Sequence, residues 1–249
     1  MTCDPKMYEK YVAGIRASVD ATASDHQATS SARPLARLPG LNQAAPNFRA
    51  STTHGPRSLE DYVGKWLILF SHPADFTPVC TTEFIAFARQ ANTFKKMNCE
   101  LLGLSIDSTY SHIAWLRNIE EKFGVEVPFP IIDDLSMAVA HAYGMIQPGA
   151  SDTSAVRATF IIDPDGLVRA MAYYPITNGR SVVEFLRLLG ALQMSDENKV
   201  ATPEGWTTGE PVIVPPPATI GEARARKKLG YDYTDWYFSK MPAPETNVS

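Results

Sequence analysis

The chain has 249 residues, enough for one sizeable core with a smaller appended unit. Hydrophobic residues at 45% and charged residues at 20% are an ordinary globular balance, and the formal net charge of -4 excludes the basic excess of a nucleic-acid-binding surface. No apolar run approaches the roughly 20 residues that span a bilayer, and three cysteines with no CxxC pair are too few for a disulfide framework.

Residues 1–40 read as a mobile extension: a short helical stretch over 7–19, a Ser/Thr/Ala-rich run over 21–31, and a Pro-punctuated lead-in. Asp4, Glu9, Asp20 and Asp25 argue against a signal or transit peptide. A reducing, cytoplasmic setting is the expectation. Residues 65–71 (KWLILFS) form a continuous apolar run between Gly64 and Pro73, as a strand buried on both faces does. Phe84, Phe87, Ala88, Ala91 and Phe94 then recur at helical spacing. Residues 101–106 (LLGLSI) predict a second buried strand. Ile113, Leu116, Ile119 and Phe123 predict the next helical stripe, and FPIIDD a short strand. A short helix over 136–143 ends at Gly144. Two strands flank DPDG at 163–166, a hairpin signal. Ser181 with Glu184 makes a capping box that opens a helix carrying Val182, Phe185, Leu186 and Leu189.

The order β-α-β-α-β-α-β-β-α predicts an α/β fold, a mixed sheet flanked by helices, with the element order of a thioredoxin-like fold. The thioredoxin-like core spans 41–200. Beyond it, PPP at 215–217, a basic helical piece over 220–229 and the aromatic run YDYTDWYF make 201–249 a small C-terminal domain or arm, with aromatics suited to a partner subunit.

The segment most suited to chemistry is FSHPADFTPVCTTEF, residues 70–84, at the end of the first buried strand. Reactive groups collect at that edge of α/β sheets. Thr77 as N-cap and Pro78 at the first helical position place Cys80 in the first turn. Free N–H groups and the positive helix end favour a thiolate there, so its pKa is expected below the usual value of about 8.5. Cys99 has no cap or basic neighbour and reads as an inert buried thiol. Cys3 lies in the extension, with nothing to activate it. The five histidines show no ligand spacing such as HxxxH, and no metal is expected.

PADFTPVC fits the Pro-x-x-x-Thr-x-x-Cys pattern of the peroxiredoxins (AhpC/TSA family), and SHPADFTPVCTTE closely resembles the one-cysteine subfamily. The resemblance extends through LSIDS, FPIIDD, YPITNGR and VATPEGW. It implies that Cys80 is the peroxidatic nucleophile, Pro73 shields it from water, and the Thr77 hydroxyl bonds the peroxide. It places Arg157 beside the sulfur, Glu83 as the residue orienting arginines there, Arg180 as a second active-site arginine, and His72 close to the cysteine. Singly, each has a plainer reading: Pro73 ends a strand, Glu83 faces a helix dipole, the arginines are surface charges.

The implied activity is reduction of hydrogen peroxide and organic hydroperoxides through a cysteine sulfenic acid, without a cofactor. No cysteine follows Cys99, so a one-cysteine cycle is expected, with an external thiol (a small thiol or the thioredoxin/glutathione system) as reductant. Cys3 as a resolving thiol is a minor alternative. A homodimer or larger homo-oligomer is implied. The alternative function is a redox-linked holdase chaperone or signalling module.

Overall fold

A computed structural model describes residues 38–146 and 155–244; the expectations for residues 1–37, Cys3 included, lie outside the described residues. The central sheet has five strands: β3 (Trp66–Ser71), β4 (Cys99–Ser105), β5 (Ile131–Asp133), β6 (Arg157–Ile162) and β7 (Val168–Tyr174), in the order β5-β4-β3-β6-β7. Two short strands precede them, β1 (Arg49–Ala50) and β2 (Arg57–Ser58). β3 pairs parallel with β4, and β4 with β5; β6 and β7 run antiparallel. The helices are α1 (Pro78–Lys96), α2 (Thr109–Phe123), α3 (Ala138–Ala142) and α4 (Val182–Asn198). The β-α order predicted from the sequence is the observed one, and the fold is thioredoxin-like.

Strand β3 is buried along its whole length because both faces are covered. Its residues alternate between two cores. Trp66, Ile68 and Phe70 face Phe84 and Phe87 of α1 and Phe185 and Leu189 of α4. Leu67 and Leu69 face Tyr62, Val139, Tyr143 and Phe160. Phe70 stacks on Phe87 at 4.2 Å between ring centroids. Each such fully buried side chain contributes about 1.5–3 kcal/mol relative to exposure. This packing makes the end of β3 a rigid platform for the segment that follows.

Three local expectations are corrected. The buried face of α2 is His112, Trp115 and Ile119, one residue round from the predicted stripe; Ile113 is 42% exposed and Phe123 54%. The indole of Trp115 donates to the Thr81 hydroxyl at 3.2 Å and His112 reaches a buried carboxylate, so a large ring and a polar partner set the rotation of the helix. The capping box at Ser181 is half formed: its hydroxyl accepts from Glu184 N–H, while the Glu184 carboxylate turns to Arg187 at 2.7 Å. The basic piece is helical as α5 (Ile220–Ala225) and tightens into a 3-10 turn over Arg226–Lys228, where Arg226 is buried with its guanidinium on the Pro215 carbonyl.

The C-terminal residues form an antiparallel sheet in the order β8 (Val212–Ile213), β10 (Phe238–Met241), β9 (Asp232–Asp235). Trp206 fixes this part to α4: its ring packs on Ala191 and Met194, and its carbonyl accepts from Arg187 at 3.0 Å.

Candidate active site

The chain leaves β3 at Ser71 and turns through HPADF before α1 begins. Phe76 takes a left-handed backbone (φ 55°) and is exposed. Thr77 is extended, and Pro78 opens the helix, where its fixed φ fits and its missing N–H loses nothing. Thr77 occupies the N-cap position but its hydroxyl does not cap; it donates to the Ala74 carbonyl at 2.9 Å, tying the loop to itself. Cys80 therefore lies in the first turn, as predicted, and its side chain is wholly buried.

Arg157 is the first residue of β6, the antiparallel neighbour of β3, which aims its side chain across the end of β3. Its Nη1 donates to the Cys80 sulfur at 3.3 Å and to Glu83 Oε2 at 2.7 Å, while Nε is held by the Ile176 carbonyl at 2.9 Å. Glu83, one turn beyond Cys80, also accepts from Arg180: from its backbone N–H at 2.7 Å and from Nε and Nη2 at 2.8 Å each. Arg180 Nη1 reaches the Ala158 carbonyl at 2.8 Å. Burial by itself pushes the Glu83 carboxyl up; hydrogen bonds and charge from Arg180, then the charge of Arg157, outweigh it and hold the group below its ordinary range. Two guanidinium cations thus share one carboxylate, leaving one positive charge uncompensated at the sulfur.

Four of the seven residues singled out from sequence thus meet in one network: Cys80, Glu83, Arg157 and Arg180. Pro73 is buried. His72 belongs to a second network that the sequence reading missed. Its Nε2 lies 2.9 Å from Asp75 Oδ1; the other carboxylate oxygen, Oδ2, lies 2.8 Å from His112 Nδ1; and His112 Nε2 lies 3.2 Å from the Ile132 carbonyl. All three residues are buried. Asp75 stands three residues after His72 inside the same motif, which was the available signal; His112 lies off the predicted helical stripe and gave none. The three residues come from three elements, so chain spacing does not show that their ligand atoms lie within 4.8 Å of one another. The contacts between the two rings and the carboxylate are hydrogen bonds of 2.8 and 2.9 Å, so the set reads as a proton-sharing network.

Residues 41–171 match the AhpC/TSA family. The chain belongs to that family, the peroxiredoxins. Residues 191–228 match the C-terminal domain of 1-Cys peroxiredoxin. A peroxiredoxin of Aquifex aeolicus is 54% identical over 215 residues, covering 82% of this chain and 96% of the relative. Peroxiredoxin 2 of Caldanaerobacter subterraneus subsp. tengcongensis is 52% identical over 206 residues, covering 82% and 93%. Among solved structures, the yeast mitochondrial 1-Cys peroxiredoxin, studied for thiol resolution via glutathione/thioredoxin systems, superposes with a TM-score of 0.74 at 39% identity, covering 82% of this chain and 100% of its own. A cysteine-to-serine mutant of Peroxiredoxin 6 of Arenicola marina superposes with a TM-score of 0.75 at 34% identity, covering 83% and 99%. The protein is a thiol-dependent peroxidase. Among the described residues no helix is long and apolar enough to cross a membrane.

Proposed function

We propose that Cys80 is the peroxidatic nucleophile and that it cycles with an external thiol. The observation that carries this is the Arg157 Nη1 contact with the Cys80 sulfur at 3.3 Å, in a buried site where, among the described residues, the guanidinium is otherwise held by Glu83 and the Ile176 carbonyl. The Cys80 thiolate attacks the terminal, O–H-bearing oxygen of a hydroperoxide. The S–O bond forms as the O–O bond breaks, Cys80 becomes the sulfenic acid, and the departing oxygen leaves as water or an alcohol once protonated. Arg157 and the free N–H groups of the first turn of α1 stabilise the charge that gathers on the departing oxygen. Glu83 holds Arg157 and Arg180 in register, Thr77 offers its hydroxyl lone pairs to the substrate, and Pro73 keeps water from beneath the sulfur.

The same reading covers the rest of the cycle. Among the described residues the other cysteine, Cys99, is buried at the start of β4, where burial pushes its thiol up and keeps it protonated. It offers no resolving thiolate, which supports reduction of the sulfenic acid by a small thiol or a thioredoxin/glutathione system in a reducing cytoplasm. The exposed aromatics Trp236, Tyr237 and Phe238 on the β9–β10 hairpin support a homodimer or larger homo-oligomer, and the tie between Trp206 and α4 supports a core over 41–200 with an arm over 201–249. No observation favours the holdase reading.

The test is to mix the reduced protein with a slight excess of hydrogen peroxide and follow it by stopped-flow fluorescence and intact mass. Rapid gain of one oxygen that disappears in Cys80→Ser and persists in Cys99→Ser is the expected result. Slow, unselective oxidation of both thiols overturns the assignment.

A further inference from the structure

We propose that Thr81 and Trp115 are positioning residues of this peroxidase: the Trp115 indole and the Thr81 hydroxyl form a one-way hydrogen-bond chain that ends on the Thr77 carbonyl and fixes the helix turn carrying Thr77 and Cys80. The proposal rests on the assignment of Cys80 as the nucleophile, with Thr77 beside it to bind the substrate.

The chemistry of the groups sets the direction of the chain. An indole nitrogen only donates, so Trp115 Nε1–H, 3.2 Å from Thr81 Oγ1, gives its proton to that oxygen. A carbonyl only accepts, so the Thr81 hydroxyl, 2.8 Å from the Thr77 carbonyl oxygen, gives its own proton there. The Thr81 backbone N–H donates to the same oxygen at 3.0 Å, which engages both lone pairs of that carbonyl. A hydroxyl that accepts one bond donates the next more strongly. The Thr77 hydroxyl is fixed by a separate contact: it donates to the Ala74 carbonyl at 2.9 Å, and its lone pairs stay open to a hydroperoxide. The carbonyl and the hydroxyl of Thr77 thus each have a set direction, and the first depends on Thr81.

The plainer reading of Thr81 is a helix residue that satisfies its own hydroxyl. Threonine is a weak helix former, and a hydroxyl bonded back along its own helix bends that helix slightly. Thr82 shows the plain arrangement: its hydroxyl bonds to the Val79 carbonyl at 2.7 Å on the exposed side of α1. Thr81 differs in taking a proton from another helix, 34 residues away in sequence. Trp115 is 1% exposed, so its N–H has no water to turn to, and a buried donor without an acceptor is costly.

The indole cannot swing aside. Its centroid lies 4.7 Å from that of Phe84 and 5.1 Å from that of His72. The bond to Thr81 therefore fastens α2 to the first turn of α1, and Thr77 and Thr81 bracket Cys80 within that turn. No bond is made or broken in this role. The chain holds Thr77 where its hydroxyl and the Cys80 sulfur can meet one hydroperoxide. Attack requires the reacting atoms to come within about 3–3.5 Å in line, so a looser turn lowers the rate while every catalytic group is still present.

The experiment combines stopped-flow peroxide kinetics, urea unfolding and indole ¹⁵N–¹H spectra of the full chain. Thr81→Val keeps the shape and removes the hydroxyl. It should slow oxidation of Cys80 roughly tenfold, about the effect of one hydrogen bond, and shift the Trp115 indole resonance, which Trp115→Phe identifies by its loss. Thr81→Ser keeps both bonds and should restore rate and resonance. Trp115→Phe leaves the hydroxyl on the Thr77 carbonyl without its support and should slow the reaction about threefold. In the double variant Thr81→Val, Trp115→Phe, the buried donor and its acceptor are gone together, so the urea midpoint should return towards wild type while the rate stays at the Thr81→Val level. Thr82→Val should stay within about twofold of wild type. A rate that recovers with stability in the double variant overturns the proposal, since it marks a structural contact alone. So does Thr81→Val reacting as fast as wild type, or Thr81→Ser as slow as Thr81→Val. Trp115→Phe at the wild-type rate also overturns it, whether or not Thr81→Val folds. Failure of the nucleophile assignment is seen separately, as peroxide turnover that survives Cys80→Ser.

Discussion

Two cysteines lie at opposite edges of one sheet, and both are hidden: Cys80 is 0% exposed and Cys99 3%. Burial alone cannot separate them. Cys99 opens β4 beside Trp66 of β3, and its thiol donates to the Glu100 carbonyl at 3.6 Å. Burial there pushes the thiol up, with the Glu100 charge adding to it. Cys80 instead meets the start of a helix and a guanidinium. The same side chain, equally dry, is a small hydrophobe at one edge and the proposed nucleophile at the other. What decides is which polar groups are buried with it.

The largest effect that sharpens this contrast is loss of peroxide consumption to background in Cys80→Ser, while Cys99→Ser stays within about twofold of wild type, as expected for a distant site; stopped-flow rates decide it. Next, Arg157→Met should lower the peroxide rate constant roughly 10²–10³-fold, the usual consequence of removing one donor to developing charge. If that variant matches wild type, the two cysteines differ for some other reason. Glu83→Ala leaves two buried guanidinium groups without their carboxylate and should cost roughly 3–5 kcal/mol in urea unfolding.

The acid side separates the two edges further. The folded-state values of Glu83, Asp75 and His72 are all held below their ordinary ones. Each group therefore contributes stability that is present above its unfolded value and lost as pH falls. For His72 the loss begins below about pH 6.5, where the unfolded chain takes up a proton that the folded ring refuses; for the carboxyls it begins near about pH 4. Urea midpoints measured down the pH scale should fall in that order, and Glu83→Gln should flatten the lower part. Cys99→Ala, the smallest effect, should cost about 1 kcal/mol with an unchanged pH profile.

The regular part of this fold was legible because its signals are local. KWLILFS, the Phe84–Phe87–Phe94 stripe and DPDG each carry their own period or turn chemistry, and β3, α1 and the β6–β7 hairpin formed where they stood. The first-turn position of Cys80 was equally plain from Thr77 and Pro78. Failures came where a side chain had to choose among several partners, near or distant. Nothing in the local sequence says that Thr77 will bond Ala74 in place of capping its helix, or that Glu184 will prefer Arg187 to its own N-cap. The rotation of α2 is set by Thr81 and Asp75, 34 and 37 residues away in sequence. Arg157 and Arg180, ambiguous as isolated charges, become part of the site only through Glu83, 74 and 97 residues distant.

The complete enclosure of the Cys80 sulfur has a kinetic consequence. A hydroperoxide is a few atoms across and can thread a narrow opening; the thiol of another protein cannot. For a protein thiol as reductant, the Cys80 sulfur would have to come out of this enclosure, and the contacts that fix the Glu83–Arg157–Arg180 cluster around it would oppose that exposure.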